Sequence, residues 1–129
     1  MKIKLVTLYV TDHEKALKFY TEVAGFVKKA DVSQGSYRWL TVVSPEEPDG
    51  AELHLEVAGD PAAQAYQQAL FQQGKPAAMF QVDDVQAEHD RMKALGAKVT
   101  LPPTKVTGST IAILDDTCGN LIQIVALER

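Results

Sequence analysis

The chain has 129 residues, 46% of them hydrophobic and 23% charged, with a formal net charge of −4. That length is enough for one domain to bury about two thirds of its unfolded surface, so no disulfide or metal staple is required. The acidic balance, with Lys28-Lys29 the only adjacent basic pair and read as a solvated surface pair, argues against a nucleic-acid partner. The single Cys118 excludes an internal disulfide and fits a reducing compartment. No apolar stretch approaches the ~20 residues of a membrane span, and Met1 to Val6 run straight into a strand pattern. The expectation is a cytoplasmic protein with no membrane partner.

In chain order, residues 3–10 are apolar and β-branched, which predicts a strand. Thr11-Asp12-His13-Glu14 has the Thr-x-x-Glu spacing of a capping box and should open a helix. Its inner stripe would be Ala16, Leu17, Tyr20, Val23 and Ala24, and Gly25 would end it in the left-handed conformation. Strands follow near 26–32, 37–44 and 51–58, separated by Ser33-Gln34-Gly35-Ser36 and by the Pro- and Gly-containing run 44–50. The first unit, 1–58, therefore reads βαβββ.

Asp60-Pro61 has an N-cap residue followed by proline at the first helical position, predicting a connecting helix over 60–74 closed by Gly74. Ala62, Tyr66, Ala69 and Leu70 form its expected packing stripe. The second unit, 75–129, reads as a strand at 76–82, a helix at 84–95 stopped by Gly96, and strands near 97–101, 109–114 and 120–127. Pro102-Pro103 and Asp115-Asp116-Thr117-Cys118-Gly119 punctuate the last three.

The second unit repeats the first. Tyr9-Val10-Thr11-Asp12 leading to Gly25 matches Gln81-Val82-Asp83-Asp84 leading to Gly96, and the Gly50 turn before Leu53-His54-Leu55 matches the Gly119 turn before Ile122-Gln123-Ile124. The offset is 72 residues at the first strand and 69 at the last, from Val10 to Val82 and from His54 to Gln123. A near-fixed offset predicts two copies of one unit within a single domain, 1–129.

Two βαβββ units with Val-x-Asp before each helix, and an Asp-rich Gly-Asn turn before the last strand, resemble the vicinal oxygen chelate superfamily. That superfamily includes glyoxalase I, bleomycin-resistance proteins and extradiol dioxygenases. The resemblance spans essentially the whole chain. It implies an α+β fold whose two paired βαβββ units form curved mixed sheets around a cleft, and a homodimer. It also implies that metal-dependent members draw ligands from the first and last strand of each unit. Carried onto this chain, those positions are Leu5, His54, Ala77 and Gln123. Leu5 and Ala77 have no donor atom, His54 is a good ligand type and Gln123 a weak one, whereas zinc or iron sites want about three protein donors.

Strand alternation places Glu52, His54 and Glu56 on one face of their strand, with Leu53, Leu55 and Val57 on the other as core. Same-face neighbours lie ~6.6 Å apart, wide for one coordination shell, so a displaced metal site on His54 with a glutamate is a distorted one. His54 reads either as a general base or orienting group between carboxylates, or as a half-buried strand histidine. Trp39 and Thr41 share a face, and Trp39 either lines a pocket or sits in core. His13, His89 and Cys118 read as structural. There is no glycine-rich phosphate loop, no justified Ser-His-Asp set and no basic-aromatic nucleic-acid pattern.

The expected function is a small-molecule binding protein without metal or other cofactor. Its ligand-binding residues would be Thr7, Tyr9, Trp39, Glu52, His54, Glu56, Gln81 and Gln123, and a cationic or amine-bearing ligand would suit the glutamates. The alternatives are a metal-dependent lyase, isomerase or dioxygenase of the same superfamily, and an interaction module that binds partners through its sheet edges.

Overall fold

A computed structural model describes residues 1–128; Arg129, the end of the second predicted unit, lies outside them. The chain forms two compact units, Met1–Gln64 and Ala65–Arg129. Their boundary falls inside the connecting helix.

The first unit holds β1 (Leu5–Val10), α1 (His13–Lys18) continued by a π-helical turn (Phe19–Val23), β2 (Val27–Gln34), β3 (Tyr37–Val43) and β4 (Glu52–Val57). Its sheet has the order β1-β4-β3-β2, with β1 and β4 parallel and the other pairs antiparallel. α1 is capped by Asp12, whose Oδ1 accepts from the Lys15 N–H at 2.9 Å. The predicted Thr11 capping box is therefore displaced by one residue: a carboxylate is at least as good an N-cap as a hydroxyl. Ala16, Phe19 and Tyr20 are buried, whereas Leu17, Val23 and Ala24 of the predicted stripe are half-buried. Phe19 was outside that stripe. The π turn, closed by the Ala24 N–H on the Phe19 carbonyl at 2.9 Å, breaks the 3.6-residue period and lets two consecutive aromatics face inward. Gly25 then leaves the helix at φ 92°.

α1 lies against β4. On the helix side of this sheet Leu8, Val10, Leu40, Val42 and Leu55 are all buried. Each such side chain contributes roughly 1.5–3 kcal/mol on removal from water. Of the predicted core trio on β4, Leu55 is fully buried and Leu53 half-buried, but Val57 is exposed because it stands at the strand's end.

α2 (Pro61–Gln72) starts with Asp60 Oδ1 accepting from the Ala63 N–H at 2.8 Å. The expected packing stripe is shifted by one residue at three of its four positions: Ala62, Tyr66 and Ala69 are exposed and Leu70 is half-buried, while Ala63 and Gln67 are buried. A polar anchor explains the rotation. Gln67 Nε2 donates to the Cys118 carbonyl and to Asn120 Oδ1, both at 3.3 Å, and a buried amide so satisfied outranks an alanine stripe.

The second unit contains β5 (Ala78–Gln81), α3 (Val85–Ala94), β6 (Lys98–Val106), β7 (Ser109–Asp115) and β8 (Leu121–Leu127), ordered β5-β8-β7-β6 with β5 and β8 parallel. Asp84 caps α3 by accepting from the Ala87 N–H at 3.0 Å. Pro102-Pro103 does not end the sixth strand as expected; β6 runs through both prolines with register shifts on either side of Leu101. As an edge strand it tolerates the missing N–H groups. The loop between β7 and β8 is organised by Asp116, fully buried, whose Oδ1 accepts from the N–H groups of Cys118 (2.8 Å) and Asn120 (2.9 Å) and whose Oδ2 accepts from Asn120 Nδ2 (2.8 Å).

Candidate functional site

In the first sheet, backbone register decides which side chains meet. β4 is central, with β1 on one side and β3 on the other, so Thr7, His54 and Thr41 form one row, and Leu5, Glu52 and Val43 the next. Tyr9 lies beside Glu56. All share the face opposite the helix with Trp39, which is two residues from Thr41 on β3. Six of the eight expected site residues are thereby brought together: Thr7, Tyr9, Trp39, Glu52, His54 and Glu56.

Their contacts form one connected set. The His54 ring stacks on Trp39 with centroids 4.2 Å apart and planes at 24°. Its Nδ1 is 3.1 Å from Thr7 Oγ1. Its Nε2 is 3.3 Å from Glu56 Oε2 but off the line of a hydrogen bond, so this buried nitrogen makes none. Thr41 Oγ1 donates to Glu52 Oε1 at 2.7 Å. His54 and Thr41 are buried, Trp39, Tyr9, Glu52 and Glu56 half-buried, and Thr7 exposed. Trp39 thus lies between the two alternatives the sequence left open: its ring is packed on one side, yet it keeps solvent-accessible surface. Thr41 is the member that the list of candidates omitted, although its shared face with Trp39 was the signal for it.

Gln81 and Gln123 belong to the second sheet. Gln81 is exposed at the end of β5, and Gln123 is half-buried on β8 between Met79 and Ile113. Of the four positions that the resemblance marks for metal ligands, Leu5 pairs with Glu52, and the Ala77 N–H donates to the Leu121 carbonyl at 2.8 Å; neither side chain can ligate. His54 and Gln123 remain. Among the described residues no three His, Cys, Asp or Glu side chains come together to hold an ion. The residues present do not fit a three-donor metal centre.

The other histidines and the cysteine are outside this set. His13 is half-buried in the first turn of α1, and His89 is buried on α3 with Nδ1 2.8 Å from Asp90 Oδ1. That contact, with a further hydrogen bond from Gln86, holds the Asp90 carboxyl below its ordinary range. Cys118 is fully buried in the Asp116 loop, inaccessible to a reagent from solvent. On the helix side of the first sheet Arg38 makes two 2.9 Å hydrogen bonds to Asp31 and also reaches Glu14, keeping the Asp31 carboxyl at about 2 and its own guanidinium firmly charged.

Comparison with known proteins matches this architecture. The chain is 53% identical to YurT of Bacillus subtilis (strain 168), covering 97% of this chain and 98% of YurT. It is 30% identical to a probable lactoylglutathione lyase of Vibrio cholerae serotype O1, over 92% of this chain and 85% of that protein. The crystal structure of TnmS3, an antibiotic binding protein from Streptomyces sp. CB03234, superposes with a TM-score of 0.78 at 27% identity, over 98% and 96% of the two chains. Residues 2–124 match the model of the Glyoxalase/Bleomycin resistance protein/Dioxygenase superfamily, and the chain belongs to that superfamily.

Proposed function

We propose that this protein binds a small organic molecule without a metal ion and acts by sequestering or delivering it. The observation that carries this reading is the face of the first sheet opposite α1. There a half-buried tryptophan lies beside two half-buried carboxylates, and no Lys or Arg stands among the residues in register with them on that face. Aromatic surface supplies burial, and a few polar groups set orientation. Glu52 and Glu56 favour a cationic or amine-bearing ligand. Gln81 and Gln123, which lie in the second unit, are further candidate ligand-binding residues through their side-chain amides. The likeness to an antibiotic binding protein supports a ligand of drug-like size.

The same reading includes a homodimer in the cytoplasm. Ile3, Leu5, Val6 and Met79 are exposed apolar side chains on or beside the edge strands β1 and β5, and a symmetric dimer is the commonest way to cover such surface. Light scattering should give twice the 14.1 kDa of one chain. A cysteine kept as a thiol fits the compartment.

Metal content tests the central claim. Protein purified without added metal should carry no stoichiometric ion, and zinc or nickel should leave the melting temperature unchanged in both the wild type and His54→Ala. A site with Kd a thousandfold below the added metal would raise stability by about 4 kcal/mol. A large rise abolished by His54→Ala would overturn the binding reading. It would favour a metal-dependent lyase, the second reading, which rests on the likeness to a probable lactoylglutathione lyase. Turnover of lactoylglutathione only after nickel or zinc is supplied would establish it.

A further inference from the structure

Trp39 is the chain's single tryptophan, and its aromatic partner among the described residues is His54. The imidazole is restrained from several sides. Thr7 holds Nδ1, the Glu56 carboxylate stands at Nε2, and the strands carrying Thr7 and Thr41 flank it in register. It is 5% exposed, so neither nitrogen projects toward solvent. What the ring does offer is its face, laid against the indole at 4.2 Å. A half-buried tryptophan can still exchange between rotamers about two side-chain torsions, and a flat neighbour held in place narrows that choice before any ligand arrives.

We propose that His54 is a positioning residue for Trp39: it acts through its ring face rather than its nitrogens, and fixes the indole plane on which a planar cationic ligand stacks. This rests on the binding reading above for the ligand and on the geometry of the first sheet alone for the positioning. It gives a chemical role to a histidine that stands in register with Thr7 and Thr41 rather than with further metal donors. Thr7 then serves to hold the histidine, with Glu56 standing beside it. A cation over the remaining indole surface gains from the ring quadrupole, most strongly with tryptophan, and lies near the Glu52 and Glu56 carboxylates.

The test separates ring from nitrogens. His54→Phe and His54→Tyr keep a flat ring, whereas His54→Gln keeps a polar group and removes it. Because one tryptophan dominates the long-wavelength near-ultraviolet circular dichroism, that band in ligand-free protein reports the indole's immobilisation directly. Calorimetric titration with N-methylquinolinium, an aromatic cation, reports binding.

His54→Phe, or His54→Tyr should the phenylalanine variant not fold, is expected to retain the band and to bind the probe within about threefold of wild type. His54→Gln, with its far-ultraviolet spectrum intact, should lose most of the band and bind roughly three- to tenfold more weakly. If a folded ring-bearing variant loses the band as His54→Gln does, or if His54→Gln leaves the band unchanged, the positioning role is refuted. Should the spectra follow the expected pattern while wild-type protein fails to bind the probe, the positioning stands and the cationic ligand class falls.

Discussion

The two sheets are one ladder built twice with different side chains. In the first, the row through the central strand is Thr7, His54, Thr41; in the second it is Met79, Gln123, Ile113, displaced by 72, 69 and 72 residues. Where β4 presents Glu52, His54 and Glu56, β8 presents Leu121, Gln123 and Val125. The change of offset from 72 to 69 has a simple origin. Eight residues link β3 to β4, whereas five link β7 to β8. The longer link is a solvent-exposed turn pinned by the Gly50 N–H on the Glu47 carbonyl, and the shorter is built around buried Asp116. Backbone pairing and the helix-side core reproduce the fold in both copies. The opposite face is free to differ, and only the first copy has become polar and aromatic there.

If the copies are equivalent scaffolds, matching core positions should fail equally. Leu55→Ala in the first unit and Ile124→Ala in the second, 69 residues apart and both buried, should each cost roughly 2–5 kcal/mol in denaturant unfolding. A loss confined to one of them would show that the two cores do not carry equal weight.

The loops should part company. Asp116→Ala strands three donors in the interior and should destabilise by roughly 2–4 kcal/mol, whereas Asp49→Ala, whose side chain is 96% exposed, should stay within about 0.5 kcal/mol. Equal costs at the two positions would show that the shorter loop owes nothing to its buried carboxylate.

The smallest expected effect is electrostatic. Asp31 has its carboxyl lowered from 3.8 to about 2 by Arg38. Its contribution is fully present above the unfolded value of 3.8, and it is lost as the pH falls from there through about 2. Arg38→Met should therefore flatten the acid limb of the stability profile over that window. The second unit has its own lowered carboxyl at a different place, Asp90 in α3, held down by His89 and Gln86, so its acid dependence should survive Arg38→Met. An acid limb unaltered by that substitution would remove Asp31 from the account.

Much of this was legible in the residues. Alternation and turn residues placed the strands, and the doubled Val-x-Asp and Gly landmarks revealed the repeat. Strand parity put Glu52, His54 and Glu56 on one face. Local signals suffice there because a strand's period of two and an N-cap's demand for an oxygen acceptor are properties of short segments. The same signals misjudged Phe19, the α2 stripe and Pro102-Pro103, where a π turn, a glutamine reaching a distant loop and the tolerance of an edge strand overrode local periodicity.

The residues alone specify the duplicated α+β ladder and the acidic and aromatic character of one strand face, and with the superfamily resemblance they also reveal the missing donors at Leu5 and Ala77. It takes the assembled sheet to put Thr7 rather than Leu5 beside His54, to set Thr41 on Glu52, and to lay His54 flat against Trp39. Those outcomes depend on the register between strands dozens of residues apart. That register is settled by packing of the opposite, helix-covered face and not by anything within the strands taken singly.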